Sequence, residues 1–94
     1  SISLPITITT TALELNNTHH TVICNVTDSA FAITLPATTI SGRIYILKKY
    51  PTSGSFALTI DPNLNQIDGS GATYTVSTSF IKLQSYDGNW WIIG

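Results

Sequence analysis

Apolar and polar residues alternate in short runs along this chain, and the runs recur at intervals of about eight to twelve residues between Gly, Pro, Asn, Asp and Ser clusters. The alternation predicts strands over Ile6 to Thr10, Ala12 to Leu15, His20 to Val26, Phe31 to Leu35, Arg43 to Lys49, Phe56 to Ile60, Thr73 to Val76, Phe80 to Ser85 and Trp90 to Ile93. No stretch sustains a 3.6-residue period free of Gly, Pro and β-branched clusters, so no helix is predicted. The breaks have mechanisms. Asp28-Ser29 offers a short turn, Pro36 cannot donate to a ladder, and Ser53-Gly54 permits the positive φ of a tight reversal. Asp68-Gly69 and Asp87-Gly88-Asn89 are hairpin signals. No linker, low-complexity block or internal repeat interrupts the pattern, which reads as one all-β domain over residues 1–94, a sandwich or a barrel.

Several strands are apolar on both faces. Successive side chains of a strand point to opposite sides, so Trp90 and Ile92 oppose Trp91 and Ile93, and Ile44 and Ile46 oppose Tyr45 and Leu47. Phe80-Ile81-Lys82-Leu83 partly repeats this. A two-layer sandwich buries one face of each sheet, so the other apolar faces call for a second copy of the chain. On this reading Trp90, Ile92, Ile44, Ile46 and Phe31 are core, and Tyr45, Leu47, Trp91 and Ile93 form an oligomer interface. The competing reading is a small closed barrel that leaves some aromatics in water.

Ser and Thr make up about a quarter of the 94 residues and Ile is the commonest apolar type, a β-branched bias that favours pleated surfaces. With 43% hydrophobic residues, 10% charged and a net charge of -1, the chain fits neither a disordered segment nor a nucleic-acid binder. No apolar run approaches the roughly 20 residues of a membrane-spanning helix, so no membrane insertion is expected. The chain lacks Met, and reads as an excised domain or a processed product. Its single Cys24, in Val22-Ile23-Cys24-Asn25-Val26, excludes an intrachain disulfide and reads as a small buried hydrophobe.

Candidate chemistry is sparse. Asp28, Asp61, Asp68 and Asp87 all sit at turn positions where a carboxylate accepts backbone N–H groups, leaving Glu14 without an identified partner for acid–base work. No catalytic residue is assigned, and no serine occupies a strand-to-helix nucleophile elbow. Asp61, Asn63 and Asn65 have the spacing of a calcium loop, but Gln66 stands where that loop needs Gly and Ala72 where it needs Glu. His19 and His20 face opposite sides of a strand and cannot chelate one ion within one chain, although one of them meeting its symmetry copies is a competing reading. No metal and no cofactor are expected. Lys48-Lys49 reads as a solvated strand end. Asn16-Asn17-Thr18 and Asn25-Val26-Thr27 match the N-glycosylation pattern, which matters only in a secreted eukaryotic protein. Tyr45, Tyr50, Tyr74, Tyr86 and Trp91 are the aromatics available to stack on a sugar or a partner; Tyr50, Tyr74 and Tyr86, with Asn89, are the ligand-binding candidates.

From Thr21 onward the order Thr-Val-Ile-Cys-Asn-Val, Ala-Ile-Thr-Leu-Pro-Ala, Gly-Arg-Ile-Tyr-Ile-Leu-Lys-Lys, Leu-Thr-Ile-Asp-Pro, Gln-Ile-Asp-Gly-Ser and Leu-Gln-Ser-Tyr-Asp-Gly-Asn-Trp-Trp-Ile-Ile-Gly resembles the β-structured modules near the ends of phage tail fibres and related virion fibre, spike and bacterial surface proteins. The resemblance spans about three quarters of the chain; residues 1–20 have no counterpart and are expected either as extra edge strands or as a lead-in from a shaft. It implies a non-enzymatic homotrimer on a virion or extracellular fibre, used in host attachment. Together these readings give a small β-sandwich, jelly-roll-like and trimeric, that recognises a cell-surface receptor or glycan. The alternatives are a monomeric carbohydrate-binding module of a secreted enzyme and a purely structural trimerisation module.

Overall fold

A computed structural model describes residues 3–53 and 56–94. Nine strands form among them: β1 (Ile6–Thr9), β2 (Leu13–Glu14), β3 (Thr21–Asn25), β4 (Phe31–Thr34), β5 (Ile44–Tyr50), β6 (Leu58–Asp61), β7 (Tyr74–Thr75), β8 (Phe80–Tyr86) and β9 (Asn89–Ile92). No described residue is helical. Each strand falls on a predicted run, with ends displaced by one or two residues. Gly54, half of the expected Ser53-Gly54 reversal, lies outside the described residues.

The strands form a five-stranded sheet, β1-β3-β5-β8-β9, and a four-stranded sheet, β2-β4-β6-β7. The first six strands alternate between the sheets, and each return pairs parallel with the strand laid down before it. The last three close the stack antiparallel. A jelly roll is built from antiparallel neighbours, whereas four of the ladders here are parallel. Alternation along a strand reports its faces and not its neighbours, which is why the pattern could not anticipate parallel pairing. Residues 6–9 and 13–14 supply the outermost strand of each sheet.

Parallel register stacks like on like. Thr7, Val22 and Leu47 are successive partners across β1, β3 and β5, and Leu13, Ile33 and Ile60 across β2, β4 and β6. The two sheets share one core that includes Val22, Cys24, Tyr45, Leu47, Leu83 and Trp90 from the larger sheet and Ile33, Leu58 and Ile60 from the smaller, with Leu13, Phe31, Tyr74 and Ile92 packed against it. The assignment on β5 is therefore corrected: Tyr45 and Leu47 are buried inside the chain, not at an interface, and Ile44 and Ile46 are half-buried on the outward face. Tyr45 is drawn inward because its ring meets Trp90 at 5.4 Å while its hydroxyl donates to the Asn16 carbonyl at 2.8 Å. Arg43 lies over the outer side of that ring, 5.3 Å from its centroid, and its Nη2 donates to the carbonyls of Asn17 and His19.

Both hairpin signals form tight turns. Asp87 and Gly88, at φ 53° and 81°, join β8 to β9, as two-residue turns with positive φ at both positions do. Asp68 and Gly69 likewise reverse the chain between Ile67 and Ser70, whose backbones exchange hydrogen bonds. Ser85, the buried polar residue, ties β8 to the loop before β5: its Oγ donates to the Ile40 carbonyl and accepts from the Arg43 N–H.

Leu47→Ala is expected to cost about 2–5 kcal/mol, since it opens a cavity between the sheets, whereas Thr59→Ala on the outward face of β6 should stay within about 0.5 kcal/mol. Urea denaturation of the two variants checks this assignment of faces, and equal costs would refute it.

Candidate functional site

Register carries the outward face of the five-stranded sheet from strand to strand. Ile6 and Ile8 on β1 continue into Thr21 and Ile23 on β3, Ile46 and Lys48 on β5, and Lys82 and Phe80 on β8. Ile44 leads to Gln84 and then to Trp91 on β9. Ile6 and Ile8 are 67% and 68% exposed, so this face presents a broad aliphatic patch to solvent. The outward face of the smaller sheet differs in kind, with Glu14, Thr34 and Asp61 in one row and Ala32, Thr59 and Thr75 in the next.

At the β8–β9 end the aliphatic patch passes into an aromatic hollow of ≈ 330 Å³, lined by Gly42, Gln84, Ser85, Tyr86, Trp91 and Ile93. Tyr86 and Trp91 sit diagonally across the antiparallel ladder on the same face, a separation of about 7–8 Å within reach of both rings. Of the four ligand-binding candidates, the structure brings Tyr86 and Asn89 together as register partners. Asn89 spends its side-chain oxygen on the Gln66 N–H. Tyr50 lies at the far end of β5, and Tyr74 belongs to the other sheet and packs against the core. Trp91 and Ile93, the remaining interface candidates, are 44% and 47% exposed and border the hollow. Sequence reasoning passed over Gln84 and Lys82, although the alternation Lys82, Gln84, Tyr86 already placed them on one face.

A larger groove of ≈ 570 Å³ runs past Glu14, Asn17, Thr38, Arg43 and Tyr45. On its wall the Arg43 Nη2 and the Tyr45 hydroxyl are engaged with the backbone of residues 16–19, while the Arg43 Nε is buried without a partner. The other sequence candidates have local duties as well. Asp61 accepts from the Asn63 N–H, and Asn63 and Asn65 donate to the carbonyls of Leu35 and Ala37, so the calcium-like spacing builds a loop. Asp68 accepts from the Ile92 N–H. In both glycosylation-type triplets the Asn oxygen accepts from the N–H and hydroxyl of the Thr two residues on. His19 Nδ1 accepts from the Asn16 N–H, and His20 Nδ1 lies 3.0 Å from Thr21 Oγ1. Among the described residues no three His, Cys, Asp or Glu side chains converge on a metal position. No protein-family model and no curated protein matches the chain.

Burial between the sheets pushes the Cys24 thiol from its ordinary 9.0 up to about 12, and burial also raises the Tyr45 phenol against the opposing effect of Arg43. Both groups hold their protons more tightly folded than unfolded. Stability is therefore full below pH 9 and falls as pH rises toward 12, through Cys24 at about 1.4 kcal/mol per pH unit at most. Urea midpoints measured from pH 7 to 11 should show this decline, and Cys24→Ala should make it shallower, leaving the part that Tyr45 contributes. Folded protein should also resist thiol labelling at pH 8, because the thiolate is the reactive form.

Proposed function

We propose that this chain is a non-enzymatic module of a homotrimeric fibre, carried on a virion or cell surface, that attaches to a cell-surface receptor, a glycan among the candidates. The observation that carries the reading is the outward face of the five-stranded sheet. Five isoleucines, Ile6, Ile8, Ile23, Ile44 and Ile46, cluster there on three adjacent parallel strands, and a contiguous apolar patch of that kind marks an association surface. The β-sandwich is retained in this proposal, and the interface moves to the isoleucine patch, with Trp91 and Ile93 at its border. The order of the strands supports the same reading. The Trp90 backbone and the Ile92 N–H, along the far side of β9, are bonded by Gln66 and Asp68, which closes that edge to further strand pairing and leaves the isoleucine face as the surface for association. Attachment by such modules rests on several weak sites held in a rigid array, where linkage multiplies modest affinities.

The hollow between Tyr86 and Trp91 favours one other reading, a monomeric carbohydrate-binding module that stacks a sugar on those rings. A purely structural trimerisation module would assemble and bind nothing.

Light scattering after size exclusion, over a concentration series, separates these. The fibre module should show a mass three times 10.2 kDa, and Ile8→Lys with Ile46→Lys should reduce it to one chain by placing charges in the apolar contact. A single-chain mass for the native protein would refute the trimer. Trp91→Ala should weaken sugar binding at constant mass in the monomeric module.

A further inference from the structure

We infer that the hollow at the β8–β9 end is a binding site for an acidic saccharide, with the ring of the sugar on Trp91 and Tyr86 and its carboxylate at Lys82. The inference rests on the proposed attachment role and names the chemistry of its ligand. Along β8, Lys82, Gln84 and Tyr86 point to the same side of the sheet, and opposite them stand Ile93, just past β9, and Trp91 and Asn89 of β9. The hollow thus offers an amide and an aromatic ring from β8, flanked by an indole and an aliphatic side chain, and Lys82 stands one alternation beyond Gln84, next to it on the same face. The C–H face of a sugar stacks on aromatic rings, which keep one apolar side and few rotatable bonds. The Gln84 amide has acceptor capacity for a hydroxyl, since its Nε2 is directed to the Gly42 carbonyl.

Charge sets the class of sugar. The chain carries four Lys and Arg against five Asp and Glu, yet no strand position on this face holds a carboxylate, while Lys48 and Lys82 both lie on it. Glu14 and Asp61 occupy the outward face of the other sheet. The carboxylates nearest the hollow are Asp87, in the turn beyond Tyr86, and Asp68, held on the Ile92 N–H along the far side of β9, so Lys82 is the cation on the β8 side of the hollow and the negative groups lie at the turn and beyond β9. An anionic group is therefore favoured at the Lys82 end and disfavoured at the other. Lys82 stands one alternation, about 7 Å, from Gln84, and Gln84 pairs directly with Trp91. A pyranose on Trp91 with a carboxylate on its ring edge spans that gap. Lys82 is half-buried, and a long cationic side chain in that setting lays its stem on the sheet and keeps the ammonium free.

Methyl glucuronide and methyl glucoside, coupled at equal density to a sensor surface, are the probes, since they differ in the carboxylate alone. The native protein in its solution assembly should prefer the glucuronide by about tenfold at low salt, the scale of one charge-assisted hydrogen bond, and the preference should shrink at high ionic strength. Lys82→Gln should abolish the preference while leaving residual binding of both sugars, Lys48→Gln should leave it intact, and Tyr86→Ala should lower binding of both. Equal binding of the two sugars, or a preference that survives Lys82→Gln, overturns the inference and leaves the attachment proposal standing. If neither sugar binds, the acidic-saccharide site is refuted; a single-chain mass, measured separately, refutes the trimeric module.

Discussion

Tyr45 settles the orientation of β5, and β5 is the strand that the larger sheet is built around, with β3 parallel on one side and β8 antiparallel on the other. Side chains alternate with a period of two, so a strand with isoleucines on one face and Tyr and Leu on the other has no inside until something chooses one. The choice is made by contacts available to Tyr45 alone: the Trp90 ring, the Asn16 carbonyl and the Arg43 guanidinium. Reversing the strand would strand the tyrosine hydroxyl and separate the two largest buried rings. Arg43 then pins residues 17 and 19 to the start of β5, so the crossing from β2 to β3 is held by the same group of side chains.

Once β5 faces this way, the outer surface follows. Parallel register carries Ile46 into line with Thr21 on β3 and Ile6 on β1, and antiparallel register carries Ile46 to Lys82 and Ile44 to Gln84 and Trp91. The patch and the hollow are thus two ends of one sheet face whose inner side is the core. The smaller sheet makes the opposite use of its outer side. There short Thr and Ala side chains with two carboxylates give an ordinary solvated face, and the charge asymmetry between the two faces is a consequence of strand order.

The polar residues that invite functional readings are mostly consumed by turns. Asp61, Asp68, Asn63, Asn65 and Asn89 each satisfy a backbone group that a chain with so many reversals would otherwise leave exposed or buried without a partner. With these residues engaged by turns, the rings of Tyr86 and Trp91 remain open to solvent at the β8–β9 hollow.

The run lengths, turn residues and two-sided apolar strands of this chain were legible along the sequence, because hydrophobic period, positive-φ turns at Asp-Gly and the low cost of burying Cys24 are local properties. Nine strands, the absence of helix and the excess of apolar surface were read from them. The pairing of those strands was decided only in three dimensions. Whether β3 lies beside β5 in parallel or meets β4 in a hairpin depends on contacts across some twenty-five residues, as Thr21 with Ile46 shows, and no local period encodes a partner. The inward turn of Tyr45 and Leu47, and with it the outward turn of Ile44 and Ile46, was likewise beyond the sequence, since both faces of β5 are equally apolar and only Trp90 and Asn16, brought from distant parts of the chain, make one of them the core.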